Sequence, residues 1–346
     1  MEILENPYRA SVLPHPDLEA MPWTASDEAA PKRIFDGRAQ SIETPLHSAQ
    51  DLAHSLGIAA LHIKDERGRG GLGSFKALGA AYVIACDAAL GKAKGQTYVT
   101  ASAGNHGLSL AAGAAEFGAN ARVYIAQTVP EGFAQRLRAY GAQVVRQGAV
   151  YEESMHAAAH AAKAEGLTLL SDSSWPGYSA RPHRLMEGYL ILMAEAVAQI
   201  PMPPTHIFLQ AGVGGLAGAC AAHARAVWGD VPKIIVVEPE AAPALAASIR
   251  AGKPVIADGP VSAMGRLDCK EPSLIALKSL SRDADLFQTI TETEGEAGAD
   301  CAARAGYAST PSGAAGLAGV MAATSALMLK QDARALIILS EAAEDA

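Results

Sequence analysis

THIFLQAGVGGLAGA, residues 205–219, decides the fold. A short apolar run ends in a glycine-rich turn, and the turn opens into an alanine-rich segment. An apolar run of this length, bounded by turn residues, reads as a buried strand. The glycines let the backbone turn sharply and bring its N–H groups close to a ligand without a Cβ in the way. The helix that follows adds its positive end, so strand, turn and helix form a cradle for an anion such as phosphate. Two other readings stay open at this point. The turn could serve close helix–strand packing alone. It could also belong to a dinucleotide fingerprint, G-x-G-x-x-G with an acid at the end of the next strand. Gly212 and Gly214 start that spacing, Gly218 comes one residue late, and Glu238 does end the next strand.

The same alternation runs outward along the chain. Strands are predicted at 61–65, 96–101, 121–126, 142–148 and 167–172, and again at 205–210, 233–240 and 335–341. Helices are predicted at 75–90, 106–118, 131–141, 150–166 and 181–199, several of them stopped by glycine. The doublet Pro203–Pro204 closes the last. Strands alternating with helices of this length mean βαβ units and a parallel sheet. Residues 1–40 read as an extended, loop-rich arm. The expected architecture is α/β, with two lobes, each a mostly parallel sheet flanked by helices, and a cleft between them. In such sheets ligands sit beyond the carboxyl ends of the strands.

Composition narrows the function. Half of the 346 residues are hydrophobic, 18% are charged, and the formal net charge is −8. A chain this apolar builds a sizeable core. No basic stretch marks a nucleic-acid face, and no apolar run reads as a membrane span. The N-terminus lacks the pattern of a secretory signal. Cys86, Cys220, Cys269 and Cys301 are scattered without zinc-ligand or disulfide spacing, so a reduced, cytoplasmic protein without a metal is expected.

Three further stretches carry chemistry. In TASAGNHG (100–107) a strand ends and a helix begins. Ser102, Gly104 and Asn105 can present N–H groups and short polar side chains to a carboxylate there, or simply cap the helix. In GSFKALGA (73–80), Lys76 stands beside an aromatic residue at a helix start. A solvated lysine is the plain reading. Desolvation at such a place would instead pull its pKa down and favour the amine that forms Schiff bases. In LSEAA (339–343), Ser340 puts a hydroxyl at the end of a buried strand. Arg69, in the glycine-rich loop before Lys76, is read as a holder of a distal acidic group or as a solvated loop residue. Asp172 is read as a second base, or an acid for the leaving group, or as a cap. Trp175, Tyr178, Arg181 and His183 follow it and shape either the pocket or the packing. Cys269 is read as an inert thiol near the site.

A lysine for an aldehyde, a glycine loop for a phosphate, an anion-binding helix start and a hydroxyl for a ring nitrogen are the parts of a pyridoxal-phosphate site. Together they resemble the tryptophan-synthase-β-like, fold type II, family of pyridoxal-phosphate enzymes, and within it the diaminopropionate ammonia-lyase group. NPYR (6–9), KDERGRGGLGSFKALG (64–79), AGNHG, SDSSWPGYSARPHRLMEGY (171–189), QAGVGG, EPEAA, GRLDCKEPS (265–273) and TPSGAAGLAG (310–319) follow in that group's order. The resemblance implies that Lys76 bonds the cofactor and Asn105 contacts the ring oxygen. It implies that Gly212, Val213, Gly214 and Gly215 hold the phosphate and that Ser340 faces the pyridine nitrogen. Ser102, Ala103, Gly104 and His106, with Arg69, would meet the substrate. Lys76 and Asp172 would be catalytic.

Two departures stand out. Ala103 occupies the place where the group carries an aspartate before GNHG, so SAGNHG looks more like the serine and threonine dehydratases. The ending SEAAEDA also differs from the group's TEG-type ending. The implied activity is α,β-elimination from a small β-substituted amino acid of the diaminopropionate type, giving a 2-oxo acid and ammonia. Alternatives are dehydration of serine, threonine or 3-hydroxyaspartate, β-replacement, and a catalytically silent binding protein. The implied domains are 41–75 with 173–346 for the cofactor and 76–172 for the substrate, and family habit implies a homodimer.

Overall fold

The computed structural model describes residues 1–149, 151–326 and 328–343. Among the described residues eleven strands form two sheets: β1 Glu2–Glu5, β2 Leu46–Ser48, β3 Ala60–Asp65, β4 Thr97–Ala101, β5 Asn120–Ile125, β6 Gln143–Arg146, β7 Thr168–Leu169, β8 His206–Gln210, β9 Lys233–Pro239, β10 Leu286–Ile290 and β11 Arg334–Leu339. The larger sheet has the order β1-β10-β9-β8-β11-β3-β2, the smaller β6-β5-β4-β7. Pairing is parallel throughout the smaller sheet and from β10 to β3 in the larger. Only the edge strands β1 and β2 run antiparallel to their neighbours. The central strands are apolar at nearly every position because helices cover both faces, as the burial of β8, β9 and β11 shows. One hydrophobic core joins the sheets. Tyr98 and Val123 from the smaller sheet, Leu209 and Ile234 from the larger, and Leu190 and Leu192 of helix Ala180–Gln199 belong to one cluster.

The structure corrects the sequence reading in several places. The 1–40 arm is more structured than its proline-rich composition implies. It supplies β1 and the helices Pro16–Glu19 and Ala29–Phe35, and it buries Leu13, Leu18, Met21 and Phe35 in the core. The segment 75–90 is not one helix. Gly79 separates a tight 3₁₀ turn, Phe75–Leu78, from helix Ala80–Ala89, because the Tyr189 ring presses on Gly79 so closely that a Cβ there would lie 2.8 Å from its hydroxyl. The strand predicted at 167–172 pairs only at Thr168–Leu169, so Asp172 lies in the bend beyond it. β10 and its parallel seat beside β9 are additional.

Arg69 is neither solvated nor in the cleft. It is fully buried with Lys64, Glu66 and Glu195. Its Nε donates to Glu66 Oε2 at 2.8 Å, Nη1 to Glu195 Oε1 at 2.9 Å, and Nη2 to Thr44 Oγ1 at 2.9 Å and Glu195 Oε2 at 2.5 Å. Nη1 also reaches the carbonyls of Gln40 and Ile42. Lys64 Nζ donates to Glu195 Oε2 and to the Thr44 carbonyl, both at 2.6 Å. Every guanidinium direction is spent inside the fold, so none is left for a substrate. The cluster ties the loop before Lys76 to helix Ala180–Gln199.

A buried pair stripped of one partner strands a charge, at a cost of about 3–5 kcal/mol. Arg69→Met is therefore expected to lower unfolding free energy by about that amount in urea titration. A loss below about 1 kcal/mol would contradict the structural role.

Candidate active site

The site gathers where strands of both sheets end. β3 leads into the turn Glu66–Gly71 and then to Ser74, which bridges to Glu341 just past β11. The Phe75 N–H donates to the Ser340 carbonyl at 3.0 Å, and the Ser74 hydroxyl accepts the Lys76 N–H. These bonds fix Lys76 beside the end of β11. From the other sheet the chain leaves β7 and delivers Asp172. Lys76 Nζ donates to Asp172 Oδ2 at 2.7 Å, with the two side chains 21% and 22% exposed.

The predicted fall of the Lys76 pKa is overturned. Burial alone would push the ammonium down, but the adjacent Asp172 carboxylate outweighs it and holds the lysine well above its ordinary value. Burial likewise works to raise Asp172, and the Lys76 ammonium, helped by His106, holds it far below its ordinary range. His106 is buried. Its Nε2 donates to the Leu170 carbonyl at 2.9 Å, which fastens the helix start to the segment carrying Asp172. Burial lowers the His106 pKa, and Nδ1 has no hydrogen-bond partner.

The turn after β4 behaves as a capped helix start. Ser102 Oγ accepts the N–H groups of Gly104 at 3.2 Å and Gly107 at 3.1 Å. The Ser102 hydroxyl is thus engaged within the turn itself. Asn105 opens helix Asn105–Glu116 and donates Nδ2 to Glu341 Oε2 at 2.5 Å. Thr310 Oγ1 donates to the other Glu341 oxygen. Arg266 Nη1 reaches the Ala103 carbonyl at 3.3 Å, and its Nε lies 3.8 Å from Glu341 Oε2. Glu341, Thr310 and Arg266 escaped the sequence reading. Thr310 and Arg266 lie in quoted stretches and Glu341 follows Ser340, but only the fold brings them onto Asn105 and Ala103.

The glycine turn after β8 packs closely against its neighbours. Gly214 has φ +97°, and a Cβ on it would lie 2.9 Å from Ala276 Cβ and 3.0 Å from Leu245 Cδ1. A Cβ on Gly212 would meet Cys269 Sγ at 3.0 Å and the Arg266 carbonyl at 3.2 Å. Gly215 begins helix Gly215–Trp228, and the Val213 carbonyl accepts the Ser273 N–H at 2.9 Å. Cys269 is half-buried against this turn, and burial pushes its thiol up to about 12. The dinucleotide reading fails at Glu238. Its carboxylate is buried and accepts the N–H groups of Leu245 and Ala246, both at 2.8 Å, so it caps a helix. Burial pushes it up to about 8.

Ser340 is buried at the end of β11, its N–H on the Gly313 carbonyl at 3.2 Å. Among Trp175, Tyr178, Arg181 and His183 the structure assigns packing. The Trp175 and Tyr178 rings stack 4.4 Å apart, Arg181 pairs with Asp87, and His183 bonds the Trp23 carbonyl. Among the described residues no three His, Cys, Asp or Glu side chains cluster as a metal site, and no helix is long and apolar enough to cross a membrane. The residues present fit pyridoxal phosphate. The turn at 212–215 takes a positive φ at Gly214 and opens a helix of 14 residues, whose first N–H groups suit a phosphate, and a lysine amine stands with an amide and a hydroxyl at neighbouring strand ends.

The ion pair sets a pH dependence. Asp172 lies below its ordinary 3.8, so its contribution is complete above that pH and is lost as pH falls through the depressed value. Lys76 lies above its ordinary 10.5, so its contribution is complete below that pH and is lost as pH rises through the raised value. Asp172→Asn is expected to cost the cofactor-free protein about 2 kcal/mol between about pH 5 and 9. The deficit should shrink on acidification below pH 3.8. Chemical unfolding at several pH values checks this, and a deficit unchanged on acidification would refute it.

Comparison with known proteins agrees with this geometry. The profile of the family described as "Pyridoxal-phosphate dependent enzyme" matches residues 39–341. Diaminopropionate ammonia-lyase of Salmonella typhimurium is 34% identical over 70% of this chain and 67% of its own length. The enzyme of that name from Escherichia coli K12 is 31% identical over 94% of this chain and 91% of its own. The crystal structure of the Escherichia coli enzyme in complex with an aminoacrylate–PLP azomethine intermediate superimposes with a TM-score of 0.87 at 28% identity. It covers 99% of this chain and 93% of that one. The chain belongs to the fold type II family of pyridoxal-phosphate-dependent enzymes.

Proposed function

We propose that the protein is a pyridoxal-phosphate-dependent ammonia-lyase. It removes the Cα hydrogen and the β-substituent of a small amino acid of the diaminopropionate type, and water completes the conversion to a 2-oxo acid and ammonia. The observation that carries this reading is the Lys76–Asp172 pair, 2.7 Å apart among the strand ends, in a chain 31% identical to an ammonia-lyase along nearly its whole length.

The residues divide the work. Lys76 would bond the cofactor, Gly212 to Gly215 would hold its phosphate, and Asn105 and Ser340 would face its ring oxygen and ring nitrogen. When bound, the cofactor supplies an electron-withdrawing ring that makes the substrate's Cα hydrogen acidic. Ser102, Ala103, Gly104 and His106 line the helix start where the substrate carboxylate would rest. Lys76 takes the Cα proton as an amine and returns it to the leaving group. Asp172 is the second proton carrier. While Lys76 is charged, Asp172 is held ionised and is a weak base; with that charge gone, burial lifts its pKa and lets it accept a proton.

Ala103 favours a second reading. Without a carboxylate there, the Cα position has acid–base groups on the Lys76–Asp172 side only, which suits dehydration of serine, threonine or 3-hydroxyaspartate. We place 41–75 and 173–346 in a cofactor domain and 76–172 in a substrate domain, with 1–40 as an arm. We take the setting to be the cytoplasm, in keeping with cysteines that lack disulfide spacing in the sequence, and the assembly to be a homodimer.

The test incubates the cofactor-loaded protein with L- and D-diaminopropionate, L-serine, L-threonine and both 3-hydroxyaspartate diastereomers, and assays ammonia and 2-oxo acid. Turnover of diaminopropionate, lost by at least about a thousandfold in Lys76→Ala, is expected. Turnover of hydroxy amino acids alone would establish the dehydratase. Silence on all of them would contradict both and leave β-replacement or ligand binding.

A further inference from the structure

Among the described residues, six side-chain polar atoms are buried without a hydrogen-bond partner, and Tyr189 Oη is the only hydroxyl. A buried O–H without an acceptor costs stability, and such a group calls for a reason. Tyr189 is 1% exposed, on helix Ala180–Gln199. Its ring lies 4.9 Å from that of Phe75, and Lys76 Nζ is 5.7 Å from the Tyr189 ring centre. Its tip is wedged against Gly79, three residues beyond Lys76. The phenol thus forms a wall of the Lys76 pocket with its donor unspent.

Lys76 needs two kinds of partner. As an ammonium it has only donors, and Asp172 accepts one of them at 2.7 Å. As an uncharged amine it has a lone pair that calls for a donor. The ionisable groups around it are Asp172 from the bend after β7, His106 from helix Asn105–Glu116, Cys269 from the loop against the glycine turn, and Tyr189. Ionised Asp172 has no proton to give. His106 spends its Nε2–H on the Leu170 carbonyl, and Cys269 offers only a weak S–H. Burial pushes the Tyr189 hydroxyl up to about 12, so it keeps its proton across the working range.

We propose that Tyr189 is a positioning residue for Lys76, its hydroxyl donating to the uncharged amine that Asp172 does not serve. Asp172 steadies the charged lysine and Tyr189 the neutral one, which keeps both states within reach of a proton transfer. This rests on the reading of Lys76 as the cofactor-bonding residue.

Tyr189→Phe removes only the oxygen and keeps the packing. In cofactor-free protein, the rate at which added pyridoxal phosphate changes its absorbance through Lys76 follows the fraction of neutral amine, with Lys76→Ala as the blank. Tyr189→Phe is expected to melt no lower than the parent, to add cofactor about tenfold more slowly at pH 8, and to need a pH about one unit higher to match the parent's rate between about pH 7 and 9. A rate–pH line that stays in place, or moves to lower pH because the hydroxyl serves the charged lysine instead, would overturn the proposal. A lower melting temperature would also overturn it, since the hydroxyl would then have a structural partner. Failure of the unsubstituted protein to show any absorbance change that Lys76→Ala removes would instead overturn the reading of Lys76 itself, and this proposal with it.

Discussion

Parallel strand pairing is the constraint on which this molecule depends. In a parallel sheet every strand delivers its chain to the same side, so whatever follows the strands is gathered there. β3 leads to Lys76, β4 to Ser102 and Asn105, β7 to Asp172, β8 to the glycine turn and β11 to Ser340 and Glu341. Residues from five separated stretches thus become neighbours. The Ser74–Glu341 bridge ties the chain beyond β3 to the end of β11, and the Asn105–Glu341 hydrogen bond ties the ends of the two sheets directly.

Two charged clusters show how a fold separates structure from chemistry. Arg69, Lys64, Glu66 and Glu195 are wholly buried and saturate one another's hydrogen bonds. Removing any one strands a charge, and a cluster so satisfied has nothing to offer a ligand. Lys76 and Asp172 are paired but still part-exposed, and the groups around them are not satisfied: His106 Nδ1 and Tyr189 Oη both lack partners. Polar groups left wanting at the end of a parallel sheet mark a place prepared for a guest.

The parts legible in the sequence were those written locally. THIFLQAGVGGLAGA carries its strand, turn and helix start within fifteen residues, and Gly214 takes the positive φ that a glycine in such a turn allows. What could not be read depends on distant contacts. Arg69 looks like a loop arginine until Glu195, 126 residues away, is brought against it. Asn105 meets Glu341 across 236 residues. The direction of the Lys76 pKa turned on Asp172, 96 residues distant, because a charge at hydrogen-bond distance outweighs an apolar wall. β1 is four residues of an edge, with too little alternation to announce itself.

The central claim is that Lys76 is covalently occupied by pyridoxal phosphate. The most direct measurement is to load the protein with the cofactor, reduce it with borohydride, digest it and map the modified peptide by mass spectrometry. The account predicts a single pyridoxyl-phosphate adduct on Lys76, in the peptide spanning GSFKALGA. An adduct on another lysine, or scattered over surface lysines with Lys76 unmodified, would contradict it.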